Sequence, residues 1–399
     1  MAPTRKTQLL RRVNPDYAGG NLVNLVASIV RHFGLVPAHP PLTDPIPLHE
    51  RDTVVLVIVD ALGYWQLQAH LAAGELPTLE RLLARCEARL MPLTATFPST
   101  TPAALTTLHT GATPAEHGLV GFTIWWPDRA TVVQTVLFRD LLRGVPLTDA
   151  SRLVTVPSVY QHLAAIGVSS HAVLPVGIVG STLSGWHFAG AHVHPYAALD
   201  ELADVVPQVL AAGGRQYVVV YWPEYDGACH LFGPASPEAR DAVQKVDTVL
   251  EHLLATVGNR DNILVILTAD HGQRPLDPTA AVVLNDDPVL GQWLSVPPLG
   301  ERCARYLSVR PDTASVVARH LAQVAEVVPM ADAWADGLFG GPPAAASFPQ
   351  RTGDLLAIPR GRRQLHWAYS EPERAEVYRG GHGGWTAWEM TVPVVAIRR

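Results

Sequence analysis

A chain of 399 residues, 48% hydrophobic and 17% charged, has the length for one large α/β domain with insertions or for two domains, and its composition excludes a chain dominated by disorder. A net charge of −6 without a basic stripe argues against a large nucleic acid as partner, although a local positive site could still take a nucleotide. Cys86, Cys229 and Cys303 are too few and too far apart for a disulfide framework and suit a reducing compartment. Arg5, Lys6, Arg11 and Arg12 precede no apolar run, and no stretch of about 18 apolar residues follows, so the expectation is a cytoplasmic protein without a secretory signal or membrane span.

Residues 21–34 repeat apolar side chains at helical spacing and stop at Gly34, which predicts a docking helix. Prolines punctuate residues 37–47, so residues 1–52 read as an N-terminal helix and linker ahead of a domain spanning 53–399. TVVLVIV at 53–59 has the continuous apolar character of a parallel strand buried on both faces, and it ends in Asp60. Asp60 stands where open α/β sheets place ligands, and also where a helix cap would stand. A helix over 77–86 and a strand over 88–93 come next.

Then follows TFPSTTPAALTTLHTG, with cap-type hydroxyls at Ser99, Thr100 and Thr101, Pro102 behind them, and a helical pattern ended by Thr110-Gly111. The helix begins near Thr101, and its free N–H groups and dipole would attract a phosphate. An ordinary capped helix explains the same residues. In the EHG that follows, His117 is expected to hold a turn, and residues 122–155, with Trp125-Trp126-Pro127, read as an inserted flap.

Helix 157–166, strand 168–174, helix 198–212 and strand 216–222 restore a βα alternation. That pattern predicts an α/β fold: a doubly wound, mostly parallel sheet with helices on both faces. Asp226 and His230 in PEYDGACH are four apart, on one face of a helical turn. A helix over 237–256 and a strand over 262–269 lead to Asp270-His271-Gly272. Neighbours in a strand face opposite ways, so Asp270 and His271 share a target only if the chain turns, which Gly272 permits. Residues 273–360 read as a cap excursion, GGHGG isolates His382 among glycines, and a strand over 391–397 ends the pattern.

Taken singly, each of Asp60, Asp226, His230, Asp270, His271 and His382 could be structural. Together, three apolar strands that end in Asp60, Asp226 and Asp270 put those carboxylates on one rim beside Thr101, where they repel one another without cations. Six O and N ligands plus a hydroxyl suit two zinc ions that keep positions for substrate. Magnesium prefers oxygen ligands, while manganese is an alternative.

The ordered set Asp60, TFPSTTPAALTTLHTG with EHG, PEYDGACHLFGP, TADHG and GGHGG resembles the alkaline phosphatase superfamily, and within it the type I phosphodiesterase/nucleotide pyrophosphatase family, over roughly residues 53–121, 216–272 and 378–397. The resemblance implies one zinc on Asp226, His230 and His382, another on Asp60, Asp270 and His271, and a bridging nucleophile. In that family the nucleophile stands ten residues before the glycine of TG, which selects Thr101 over Thr96 and Thr100. One departure is Ala104, where the family has a phosphate-binding Asn. The tail HGGWTAWEMTVPVVAI is also similar to the PglZ group of the superfamily. The implied activity is a two-metal hydrolase acting on small phosphate esters or nucleotides through a phospho-threonine. The alternatives are a phosphomonoesterase, a phosphonate hydrolase, or a non-catalytic metal-stabilised binding module.

Overall fold

The computed structural model describes residues 9–148, 153–154, 156–258 and 260–398. Arg5 and Lys6, and residues 149–152 and 155 of the expected flap, lie outside these. The chain begins with α1 (Leu22–His32), β1 (Thr53–Val59), α2 (Tyr64–Ala72), α3 (Pro77–Ala84), β2 (Ala88–Thr94) and α4 (Thr101–Thr110). Next come β3 (Thr123–Trp126), β4 (Thr131–Gln134), β5 (Arg139–Asp140) and β6 (Val145–Pro146). The α/β pattern resumes with α5 (Val159–Ala164), β7 (Ser169–Pro175), α6 (Thr182–His187), β8 (His192–Tyr196), α7 (Leu202–Ala211), β9 (Gln216–Trp222), α8 (Glu224–Phe232), α9 (Pro237–Val257) and β10 (Ile263–Thr268). After β11 (Leu299–Glu301), β12 (Ala304–Leu307), β13 (Ala325–Pro329) and β14 (Leu355–Pro359), the sheet is completed by β15 (Thr391–Ile397).

Seven strands form the central sheet in the order β2-β15-β10-β1-β9-β7-β8. β1 lies at its middle, parallel to β10 on one side and β9 on the other, while β15 runs antiparallel to both β10 and β2. Every residue of β1, β9 and β10 is buried, as their continuous apolar character requires when helices cover both faces. Adjacent strands lie about 4.8 Å apart, so the chain leaves β10, β1 and β9 at three neighbouring points of one rim. β8 and α6 are unanticipated in the sequence pattern. HVHPY is a largely exposed edge strand and carries no apolar run to announce it.

The two insertions are built differently from the sheet and packed together. β3 to β6 make a four-stranded antiparallel flap, and β11-β12-β14-β13 make a second small sheet in the cap. Trp126, Val132 and Phe138 of the flap share one apolar cluster with Leu299, Tyr306 and Phe348 of the cap and with Phe97 and Trp385 of the main body. Tyr306 donates its hydroxyl to Val120 O at 2.8 Å and Thr123 donates to Gly300 O at 2.9 Å, so polar bonds also fasten cap to flap. Among the described residues, no helix is long and apolar enough to cross a membrane.

The N-terminal helix bears on the path to Thr101. Fully buried Asn21 caps α1 by accepting from Val23 N–H at 3.0 Å, and its side-chain amide donates to Ala95 O at 2.9 Å and to Thr94 Oγ1 at 3.0 Å. One side chain thus fixes both the start of α1 and the loop that delivers α4. Removing it leaves buried acceptors unmet at about 1–3 kcal/mol. Asn21→Ala is therefore expected to lower the free energy of unfolding by that amount, read from the denaturant midpoint at unchanged slope.

Candidate metal centre

The strand exits on the central rim bring three acidic residues together. Asp60 follows β1 directly, and its N–H donates to Trp222 O of β9 at 2.8 Å. Ala61 takes a left-handed conformation, φ 63°, at a cost of order 1–3 kcal/mol for a residue with a Cβ. In that conformation its N–H donates to Asp270 Oδ1 at 3.1 Å, which joins the exits of β1 and β10. Asp226 is not at a strand end but in the first turn of α8, beyond Trp222, with His230 one turn further on the same face.

Asp270 and His271 do aim at one point, because β10 has ended at Thr268 and strand alternation no longer applies. Gly272 serves this turn by close approach rather than by unusual backbone angles. A Cβ on it would stand 2.1 Å from Trp388 O. His382 arrives from the C-terminal glycine run, where a Cβ on Gly380 would meet Cys229 O at 2.3 Å, so only glycine lets this strand lie against α8. Ser99 then binds the two distant segments, with its carbonyl accepting from Gly383 N–H at 2.9 Å and its hydroxyl donating to Gly384 O at 2.7 Å. Thr101, the first residue of α4, follows two residues later.

All three imidazoles are oriented the same way. Nδ1 of His230 faces Gly380 O at 3.0 Å, that of His271 faces Gly272 O at 3.2 Å, and that of His382 faces Ser99 O at 3.1 Å. A carbonyl only accepts, so each Nδ1 carries the proton and each Nε2 presents a lone pair. The Nε2 atoms of His230 and His382 are 3.1 Å apart. Asp226 Oδ2 is 3.4 Å from the first and Asp226 Oδ1 3.7 Å from the second. His271 Nε2 lies 3.5 Å from Asp60 Oδ1, 3.4 Å from Asp270 Oδ2 and 3.2 Å from Thr101 Oγ1. Asp60 Oδ1 and Asp270 Oδ2 are sealed from solvent with no hydrogen-bond partner. Facing lone pairs and bare buried carboxylate oxygens are what a cation site requires and what a plain hydrogen-bonded cluster avoids. The donor set therefore fits bound divalent transition-metal ions.

Two ligand groups emerge, Asp226 with His230 and His382, and Asp60 with Asp226 and His271. Asp226 belongs to both, so it stands between the two positions. Asp270 stands beside the second group, with Oδ2 3.4 Å from His271 Nε2 and Oδ1 occupied by Ala61 N–H and by His271 N–H at 3.0 Å. The hydroxyl that reaches the cluster is that of Thr101. Thr100 Oγ1 is buried without a partner, and Thr96, also buried, lies in the preceding loop. His117 is sealed under α4, bonded to Thr107 Oγ1 and accepting from Leu119 N–H at 3.1 Å, away from the centre. Three supporting residues have no motif to reveal them. Tyr221 donates to Asp60 Oδ2, Gln273 Nε2 donates to Asp226 Oδ1 at 2.6 Å, and Glu301 Oε2 stands 3.2 Å from His382 Nδ1.

Asp60, Thr101, Asp226, His230 and His382 line the floor of a cavity of about 490 Å³, walled by Phe122 and Leu141 of the flap, by Arg305 of the cap, and by Trp367 and Tyr369 just beyond it. The model of a known protein family, type I phosphodiesterase / nucleotide pyrophosphatase, matches residues 54–385. The chain belongs to that family. A human relative, ectonucleotide pyrophosphatase/phosphodiesterase family member 7, is 35% identical over 66 residues, 16% of this chain, and the match spans only 14% of that protein's length. Among solved structures, inactive murine ectonucleotide pyrophosphatase/phosphodiesterase 5 in complex with AMP is similar at TM-score 0.63 and 15% identity, covering 86% of this chain and 87% of that one. Phosphonoacetate hydrolase from Sinorhizobium meliloti 1021, in complex with phosphonoformate, is similar at TM-score 0.60 and 20% identity, covering 86% and 89%. These two likenesses show the alkaline phosphatase-type α/β fold.

Burial pushes the carboxyls of Asp60 and Asp270 above the ordinary range, aided at Asp60 by the charges of Asp270 and Asp226 and at Asp270 by that of Asp226, and burial with two neighbouring imidazoles pushes His382 well below its own. A raised carboxyl stabilises the metal-free fold below about pH 4 and loses that contribution as pH rises through the shifted value. A divalent ion removes the repulsion that then develops, and at low pH it competes with protons for the raised carboxyls of Asp60 and Asp270. The melting-temperature gain from added transition metal over chelator-treated protein is thus expected to be small at pH 5 and to grow steadily to pH 8. At about 100 times Kd it corresponds to about 2.7 kcal/mol. A gain independent of pH would contradict the assignment of these donors.

Proposed function

We propose that the protein is a two-zinc hydrolase of phosphoric esters, a phosphodiesterase of nucleotide pyrophosphatase type that works through a phospho-threonine on Thr101. The observation that supports it is the Thr101 hydroxyl at the N-terminus of α4, 3.2 Å from His271 Nε2 and facing both ligand groups across one cavity. Mixed imidazole and carboxylate donors favour zinc, with manganese as the alternative. When bound, such ions supply Lewis acidity, making the Thr101 alkoxide accessible and neutralising charge on the transferring group. Asp226, His230 and His382 would hold one ion, and Asp60, Asp270 and His271 the other, with Asp226 near both.

The chain's own part begins with position. Thr101 Oγ1 gives up its proton and attacks phosphorus in line, so an Oγ1–P bond forms while the ester P–O bond opposite it breaks, and the departing oxygen keeps that electron pair and takes up a proton to leave as the alcohol. Water then attacks the phospho-threonine and returns the Thr101 hydroxyl. Ser99 and Gly383 keep α4 and His382 in register throughout, and Tyr221 and Gln273 hold Asp60 and Asp226 in place. Small phosphate esters and nucleotides suit a cavity of about 490 Å³. Three unpaired cysteines support a reducing, cytoplasmic setting.

Ala104 is fully buried in α4 and offers no donor where the family has Asn. A monoester brings a third free oxygen with no assigned partner, and an unmet phosphoryl oxygen forfeits roughly 1–3 kcal/mol. A diester lacks that oxygen. Zinc-loaded protein is expected to show a kcat/KM at least about tenfold higher for methyl 4-nitrophenyl phosphate than for 4-nitrophenyl phosphate, and Ala104→Asn to narrow the gap. Preference for the monoester would refute the argument.

Thr101→Ala is expected to lose nearly all turnover while keeping close to two zinc ions per chain by metal analysis, whereas Thr100→Ala is milder. Parent-like activity of Thr101→Ala would move the nucleophile to Thr100 or Thr96. Absence of turnover with zinc and with manganese on both esters would overturn the hydrolase reading.

A further inference from the structure

Four arginines are buried or cavity-lining around the cap, and three of them are committed to protein partners. Arg274 donates to Gly361 O at 2.5 Å and to Arg363 O at 3.1 Å. Arg351 donates to Gly118 O at 2.7 Å and Leu153 O at 2.9 Å, and Arg302 pairs with Glu376 at 2.7 Å over the ring of Tyr378. Arg305 is different. It is only 4% exposed, and its Nε donates to Leu365 O at 2.8 Å. Among the described residues its two terminal nitrogens have no hydrogen-bond partner and no carboxylate within ion-pair distance, yet they are not sealed off. Arg305 lines the cavity above the metal centre. Burial lowers its guanidinium to about 10, which leaves it cationic at neutral pH.

Its place on the wall is set by the cap sheet. Arg305 on β12 pairs with Gly300 on β11, and the next residue of β11, Glu301, reaches His382 Nδ1 at 3.2 Å. Trp367, Tyr369 and Phe122 stand around the same space. Thr101 lines the same cavity as Arg305, so the part of a substrate beyond the reacting phosphorus shares that volume with the guanidinium. A buried cation with two free, coplanar donors is costly unless something anionic occupies them, and a guanidinium edge matches the paired oxygens of a carboxylate or phosphate.

Resting on the hydrolase reading above, we propose that Arg305 anchors a second anionic group on the leaving portion of the substrate. The preferred substrates are then phosphoric esters whose departing alcohol itself carries a carboxylate or a further phosphate. Arg305 acts on selectivity at the far end of the substrate rather than on the reacting atoms.

Two measurements on the zinc-loaded full chain test this. The first is the ratio of kcat/KM for a methyl aryl phosphate bearing a ring carboxylate, or a ring phosphate in a separate arm, to that for methyl 4-nitrophenyl phosphate. The parent is expected to favour at least one charged ester by about tenfold or more, Arg305→Gln to bring that ratio near one, and Arg305→Lys to retain part of it. The arm with the larger ratio identifies the anion. The second is calorimetric binding of 4-carboxybenzylphosphonate against benzylphosphonate, neither of which needs turnover. The carboxylate is expected to tighten binding to the parent about tenfold and Arg305→Gln to abolish the difference. Equal treatment of charged and uncharged partners by the parent overturns the proposal, as does a ratio that survives Arg305→Gln. If Arg305→Gln does not fold, the parent ratios and Arg305→Lys decide the question. No turnover with a preserved binding difference would sink the hydrolase reading alone, and turnover without any binding difference would sink this proposal alone.

Discussion

Two imidazole nitrogens 3.1 Å apart, each turned toward the other with its proton committed to a backbone carbonyl on the far side, are a repulsive arrangement that a folded protein does not hold without reason. Around them stand the carboxylates of Asp60, Asp226, Asp270 and Glu301, three of them with bare oxygens buried away from water. The backbone does the holding. Carbonyls of Gly380, Gly272 and Ser99 fix the ring orientations, so the lone pairs cannot relax by rotating away. Positive charge between the donors turns each unfavourable term into a favourable one, and much of the surrounding architecture exists to keep them from separating.

The sheet supplies the coarse convergence and the loops supply the fine one. Placing β1 between β9 and β10 makes neighbours of exits that are more than 150 residues apart in sequence. Beyond the exits, Ala61 in its strained conformation, Gly272 against Trp388, and Gly380 against Cys229 draw the final positions inward. The flap and cap, sharing one apolar cluster, then close a cavity over the centre. The floor of that cavity is rich in carboxylates and imidazoles, and its roof is aromatic with one uncommitted guanidinium. The two surfaces are suited to different parts of one ligand.

Much of the fold was readable in the chain because its central strands are buried on both faces. TVVLVIV, QYVVVYW and NILVILT announce themselves as continuous apolar runs. The edge strand HVHPY, wet and polar, leaves no such trace. The donors were readable as residue types following strands, and Asp226 is the instructive case: it belongs to a helix whose first turn, not a strand terminus, carries it to the rim. Tyr221, Gln273 and Glu301 were hidden for a physical reason. Their importance lies in which atom they meet across the fold, and hydrogen-bond partners separated by up to 161 residues, as for Tyr221 and Asp60, have no local signature. Strand order was hidden likewise, since nothing in β1 states that its neighbours are β9 and β10. Gly272 gave the right position for a different cause, crowding by a carbonyl rather than torsional freedom.

The Ser99 link between α4 and the glycine run around His382 spans more than 280 residues. Contacts of such separation form only when the intervening chain is already in place, because the loop entropy they close is large. The donors come from five separated stretches, at 60, 101, 226–230, 270–271 and 382, and no subset of the molecule smaller than the whole central sheet brings them together. Occupancy of the centre is therefore coupled to the global folding equilibrium rather than to a local one. An ion held there would stabilise the entire sheet by mass action, so the thermal shift it causes would report on the whole fold rather than on one loop.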